Sequence, residues 1–197
     1  MKSDELVIEY YSRNLLAAYC RSIEDDRESG RVWYSLAKDE CRKISRETGY
    51  SLKRVIWAMA ALSNNKIWEA NIDLCRSVCF QLRHGKQPTG HFGHLIDKAV
   101  GILEDGNFNL LSGPKVIPFA QAMYQPNCDA AVVDRWMWRA AYADNDEIPL
   151  YLTPARLERV AIALRRVARH LQLPVTTVQA TIWITVRRES SILPSEG

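Results

Sequence analysis

The sequence predicts an all-α fold, and three observations carry that expectation. Apolar residues recur at helical spacing along nearly the whole chain. No stretch shows sustained apolar/polar alternation bounded by hairpin turns. With 47% of its 197 residues apolar and 25% charged, the chain has the composition of a packed globule rather than a disordered or low-complexity one. That length suits one domain, or a core domain with a small appendage.

The elements follow in order. Leu6, Tyr10, Leu15 and Ala18 mark an opening helix, after which the charged stretch Glu24–Gly30 reads as a loop. A second helix over Val32–Thr48 closes at Gly49, a residue suited to the C-cap. Ser51 suits the N-cap of the helix that carries the apolar run Val55–Leu62. Ser63, Asn64 and Asn65 interrupt it, and Trp68–Leu82 resumes the pattern. Gly85–Gly93 reads as a loop, Leu95–Glu104 as a helix, Leu111–Lys115 as a tight turn, and a helix then runs to Met123. Tyr124–Asp129 is a connection, Asp134 precedes the helix Arg135–Tyr142, and Ala143–Thr153 is a polar loop. Pro154 starts Ala155–His170, and the last helix is Val175–Arg187.

Several function classes are disfavoured. The longest apolar run, Val55–Leu62, is far short of the roughly 20 residues of a membrane span. Met1–Glu5 is charged and leads into no secretory core, so a cytoplasmic protein is expected, nucleoid-associated if it binds DNA. Five cysteines (Cys20, Cys41, Cys75, Cys79, Cys128) read as reduced thiols packed as small hydrophobes. Cys75 and Cys79 could seat two metal ligands, but no second pair follows; His91 and His94 flank Gly93 as loop residues without a third ligand. No metal and no cofactor are expected. The net charge of +3 is uneven: residues 151–197 hold seven arginines against Glu158, Glu189 and Glu196. Such an end suits a polyanion, and equally a solvated helix face.

The most informative stretch is Leu110–Ala140. A short helix ends, the chain turns through Leu111, Ser112, Gly113, Pro114 and Lys115, and a helix opens at Val116. Gly113 lets a phosphate approach the backbone because no Cβ intervenes, and the first amides of the next helix point at such an anion. An ordinary corner between two helices would use the same glycine. Twenty-one residues on, Asp134 stands in Val132-Val133-Asp134-Arg135-Trp136, where an aspartate is most simply an N-cap.

The order of hairpin, helix, connection and Val-Asp resembles the helix-hairpin-helix DNA glycosylases, the superfamily that includes endonuclease III. Leu62-Ser63-Asn64-Asn65 looks like that family's DNA-facing loop, with Asn65 where a gap-filling Gln often stands. Gly90–Leu103 is similar to the segment ahead of the hairpin, and Gln179–Arg187, with Trp183, to the closing helix. Trp33-Tyr34, Ala-Leu-Ser-Asn and Val-Asp-Arg-Trp look like a branch associated with phages and bacteria. The resemblance covers Leu52 to Arg188 and implies a two-lobed helical fold: residues 1–50 as an N-terminal helical extension, 51–188 as the glycosylase-like domain, 189–197 as a flexible tail.

The resemblance also implies a chemistry. Ser63, Asn64, Asn65, Leu111, Ser112, Gly113, Pro114, Lys115 and Val116 would hold duplex DNA, Trp57, Trp136 and Trp138 would stack a flipped base, and Asp134 would stabilise the oxocarbenium-like sugar; Tyr124 is a further stacking candidate. Three departures shape the expectation. Lys115 replaces a second hairpin glycine. Val116, Ile117 and Pro118 occupy the place of the nucleophilic lysine, so a Schiff-base lyase step lacks its amine. The four-cysteine tail of endonuclease III is absent, so no iron–sulfur cluster is implied. The resemblance therefore implies a monofunctional DNA N-glycosylase; the alternative is a non-catalytic DNA-binding or protein-interaction module on the same fold, with residues 1–50 available to a protein partner.

Overall fold

The computed structural model describes residues 2–143 and 153–192. Among these, the regular structure is helical with no strand: α1 Lys2–Cys20, α2 Glu24–Thr48, α3 Leu52–Ala61, α4 Trp68–Arg83, α5 Gly93–Asp105, α6 Val116–Tyr124, α7 Arg135–Tyr142, α8 Pro154–Leu171 and α9 Val175–Ile192, with a single 3-10 turn at Phe108–Leu110. The all-α expectation is met. No described helix is long and apolar enough to cross a membrane. Most of the polar loop expected over Ala143–Thr153 lies outside the described residues, as do residues 193–197 of the expected tail.

The chain divides into two compact units, Met1–Tyr34 with Gln125–Gly197, and Ser35–Tyr124. The division therefore falls within α2 and after α6, not after residue 50. The first unit packs α1 against α7, α8 and α9. Its core joins Ile8, Tyr11 and Leu15 of α1 to Met137 and Trp138 of α7, Val160 and Leu164 of α8, and Val178 and Ile182 of α9. So α1 is an integral wall of this unit rather than an extension. The helix α9 continues four residues beyond Arg188, which takes Glu189–Ile192 out of the expected tail.

The acidic stretch Glu24–Gly30, expected as a loop, is the first two turns of α2. Three features offset its poor local pattern. Glu24, Asp25 and Asp26 lie in the first turn, where negative charge meets the positive end of the helix dipole. The Asp26 carboxylate accepts from the Ile23 amide at 3.2 Å, closing the helix start. Gly30, costly inside an isolated helix, sits against Thr181 of α9, whose backbone nitrogen and Cα would lie 2.8 and 2.9 Å from a Cβ. The helices meet where a side chain would not fit.

The side chain of Asp26, only 4% exposed, also pairs with Arg188 at 2.9 Å and accepts from Thr185 Oγ1 at 3.1 Å. Burial pushes its pKa up, but the bonds from Arg188, the Ile23 amide and Thr185 outweigh that and hold the carboxyl below its usual value. A lowered folded pKa contributes stability that is fully present above the ordinary aspartate value of about 3.9 and is lost as pH falls through the lower folded value. Urea midpoints measured from pH 7 downward should thus drop below that point in the wild type, with a shallower drop in Asp26→Asn. Equal slopes would remove Asp26 from the acid response.

Three of the seven arginines in residues 151–197 are paired with acids of α1 and α2 within this unit. Arg159 pairs with Asp4 at 2.7 Å, Arg166 grips Glu5 through two bonds of 2.7 and 3.0 Å, and Arg188 holds Asp26. The charge asymmetry read along the sequence is thus reduced in space by acids of α1 and α2.

In the second unit α3 is the central helix, packed on α4, α5 and α6. Its apolar run buries Val55, Ile56, Met59 and Leu62 completely. Ser51 caps its start, accepting from the Arg54 amide. Arg54 in turn donates to the carbonyls of Leu103 (2.9 Å) and Glu104 (3.1 Å), fixing the end of α5. Asn71 of α4 donates to the Met59 carbonyl at 3.1 Å. Cys41, Cys75 and Cys79 are fully buried. Burial pushes the Cys41 thiol up to about 12, and a bond from Cys79 together with burial raises Cys75. Both stay protonated at neutral pH and behave as small apolar side chains.

Candidate functional site

Each unit carries part of what the sequence singled out. In the second unit, the 3-10 turn Phe108–Leu110 runs into Leu111, which is 5% exposed, and α6 begins at Val116, also buried. These two apolar anchors pin the ends of the turn and leave Ser112, Gly113 and Pro114 exposed between them. Gly113 has φ +118°, a conformation that side-chain-bearing residues avoid. A Cβ there would meet only Val116 Cγ2 at an ordinary 3.7 Å, so it is the backbone angle and not space that calls for glycine. The glycine carbonyl receives the Ile117 amide as α6 starts. Lys98 of α5 donates to Ser112 Oγ at 3.2 Å and brings an ammonium group to the turn; Lys115 lies half-buried beside it.

The interrupting loop Ser63–Asn65 lies in the same unit. Ser63 is turned inward, its hydroxyl donating to the Ala60 carbonyl at 2.8 Å, so it closes α3 instead of facing solvent. Asn65 is exposed with φ +54°. The His91 ring is half-buried against this loop: it bonds the Asn64 backbone, and burial, with Lys66 nearby, pushes its pKa down. Its Nε2 is buried without a partner among the described residues. Of the two histidines expected in the loop, His91 is thus half-buried, and His94, though exposed, stands in the first turn of α5. Trp57 of α3 is half-buried beside Phe108 and Tyr124.

In the first unit, Asp134 is the N-cap of α7. Its Oδ1 accepts from the amides of Trp136 and Met137, both at 2.9 Å, and its Oδ2 accepts from the indole Nε1 of Trp183 at 3.0 Å. Three donors fix the rotamer of a half-buried carboxylate and leave part of Oδ2 uncommitted. Trp183 meets Trp33 edge-to-face at 5.8 Å, and the Arg187 guanidinium lies 4.4 Å over the Trp183 ring. Tyr34, 4% exposed, donates to Gln179 Oε1 at 2.7 Å; burial, then the charge of Asp134 and the Cys128 thiol, raises its pKa well above normal. The hydroxyl therefore stays a donor at any physiological pH.

Of the three tryptophans expected to stack a base, Trp138 is a correction. It is 2% exposed and packed between Tyr11 (5.8 Å) and Tyr142 (4.9 Å), with no ring face left for a ligand. Trp136 is half-buried with Arg139 5.0 Å over its ring. The aromatic beside the acid is Trp183, 49 residues away in sequence. Sequence reasoning placed Trp183 only in the closing helix, and no local spacing signals its bond to Asp134. Among the described residues no group of three or more His, Cys, Asp or Glu is placed to hold a metal ion.

Fold and site thus define a class: an all-α protein of two helical units, one bearing a glycine-opened turn flanked by lysines, the other a helix-capping carboxylate set against tryptophan. The chain belongs to a family of unknown function, DUF7178, whose model matches residues 1–190. No curated protein and no solved structure is matched.

Proposed function

We propose that the protein binds duplex DNA through the Leu111–Val116 turn and acts as a monofunctional DNA N-glycosylase with Asp134 as its acidic group. The observation that carries the DNA-binding reading is the left-handed Gly113, exposed between two buried anchors, with Lys98 bonded to Ser112 beside it. The backbone there is open to close approach by an oxyanion, and an ammonium group is at hand. Asp134 would stabilise positive charge developing on a sugar as its glycosidic bond breaks, a role that needs a fixed, ionised carboxylate and no amine. The residues at Val116–Pro118 suit this division of labour, since none offers a nucleophilic nitrogen.

Gly113→Val should weaken duplex binding about tenfold, equivalent to about 1.4 kcal/mol, because a β-branched side chain both strains the turn and stands before the phosphate. Lys98→Glu should lower the slope of log affinity against log salt by about 1. Fluorescence anisotropy with a labelled duplex measures both, and wild-type values in the two variants would move the contact elsewhere.

The three donors on Asp134 favour a second reading, in which the carboxylate is a helix cap only and the protein holds DNA without cutting its bases. The two readings part at Asp134→Asn, which keeps the cap and removes the charge.

A further inference from the structure

Three partly exposed rings and two lysines meet on the surface of the second unit. Trp57 of α3 stands edge-to-face with Phe108 (5.6 Å, 65° between planes) and with Tyr124 at the end of α6 (5.6 Å, 77°). Lys53, one turn earlier on α3, holds its ammonium 4.2 Å from the Phe108 centroid and 5.4 Å from that of Trp57. Lys38 of α2 lies 5.4 Å over the Tyr124 ring and donates to the Tyr124 carbonyl. Tyr124 is 43% exposed and Lys53 is exposed. Among the described residues no carboxylate lies within ion-pair distance of either lysine, although acids neutralise Arg42, Lys43 and Arg76 elsewhere in the unit.

Rings alone would suit any apolar partner, and lysines alone any anion. Their interleaving, with the positive charge left unneutralised, matches a chain that alternates flat bases with phosphates. Paired bases in a duplex hide their faces in the stack, so the form that can use these rings is unpaired. We propose that Lys38, Lys53, Trp57, Phe108 and Tyr124 form a binding surface for single-stranded DNA, bases stacking on the exposed rings and phosphates meeting the two ammonium groups. This rests on the reading of the protein as DNA-binding and adds the strand form that this surface takes.

The test compares a labelled oligothymidylate of about 12 nucleotides, within the site sizes of single-strand binders, with a labelled duplex. Tyr124→Ala should weaken single-strand binding about tenfold. Lys53→Glu should weaken it and lower the salt slope by about 0.7, one single-strand phosphate contact. Trp57→Phe, which keeps a ring, should retain most of the affinity. Duplex binding should be unchanged in Lys53→Glu and remain sensitive to Gly113→Val. Lys53 is an exposed residue whose replacement leaves the core intact, so its variant decides the matter even if Tyr124→Ala folds poorly. Single-strand affinity equal to wild type in Lys53→Glu, or a wild type that binds duplex but not single strands, overturns this inference alone. A wild type that binds neither overturns the DNA-binding reading with it.

Discussion

Gly30→Ala should destabilise the protein by about 3 kcal/mol, the upper end of the range for overpacking a core, and lower its melting temperature by about 6–12 °C for a chain of this size. The sign makes the prediction informative. In an open helix the same change gains roughly 0.8–1 kcal/mol, because alanine is the better helix former. Here a Cβ would lie 2.1 Å from Thr181 Oγ1, and rotating that hydroxyl away brings no relief from the Thr181 backbone at 2.8 and 2.9 Å. The two helices must move apart, and the Asp26–Arg188 pair and the Tyr34–Gln179 bond join the same two helices. Thermal denaturation followed by circular dichroism suffices; a melting temperature equal to or above that of the wild type would mean that α2 and α9 do not approach this closely.

The second large effect concerns Asp134→Asn. Asparagine caps helices as well as aspartate, so the amides of Trp136 and Met137 keep their acceptor. The amide nitrogen that replaces Oδ2 turns a donor toward the Trp183 indole, removing one bond and about 1 kcal/mol. The fold should survive nearly intact. If Asp134 acts on a sugar, base release should nonetheless fall about a thousandfold, the scale on which a preorganised electrostatic partner contributes. The assay is incubation with oligonucleotides carrying a panel of base lesions, followed by alkali to cleave at abasic sites, with both proteins side by side. Release by the wild type and none by Asp134→Asn supports the glycosylase. Equal release by both, or none from any lesion by the wild type, leaves the carboxylate as a cap. Asp134→Ala, which loses the cap as well, should cost about 1 kcal/mol more in stability.

How far this could be read from sequence depends on the range of the interaction involved. Helix ends set by a few adjacent residues were legible: Ser51 and Asp134 cap where their spacing suggests, and Pro154 opens α8. The turn at Gly113 was legible for the same reason. The first turns of α2 were not, because their charged residues and Gly30 look like a loop until Thr181, Thr185 and Arg188 are brought beside them. The basic C-terminal third misled in the same way, three of its arginines being answered by acids more than a hundred residues distant. At the candidate site the aspartate was found by its local signature, while its indole partner was invisible. Trp138 shows the limit of reading by residue type: α7 directs it into the core, and nothing in Trp-Met-Trp distinguishes the buried ring from the half-buried one.

The central claim is that this protein grips DNA by its phosphates. The most direct measurement is the affinity of the wild type for an undamaged duplex across a series of salt concentrations. Contacts to about three or four phosphates predict that log affinity falls linearly with log salt with a slope near −3. Flat salt dependence, or no binding even at low ionic strength, would contradict it and turn attention to a protein partner.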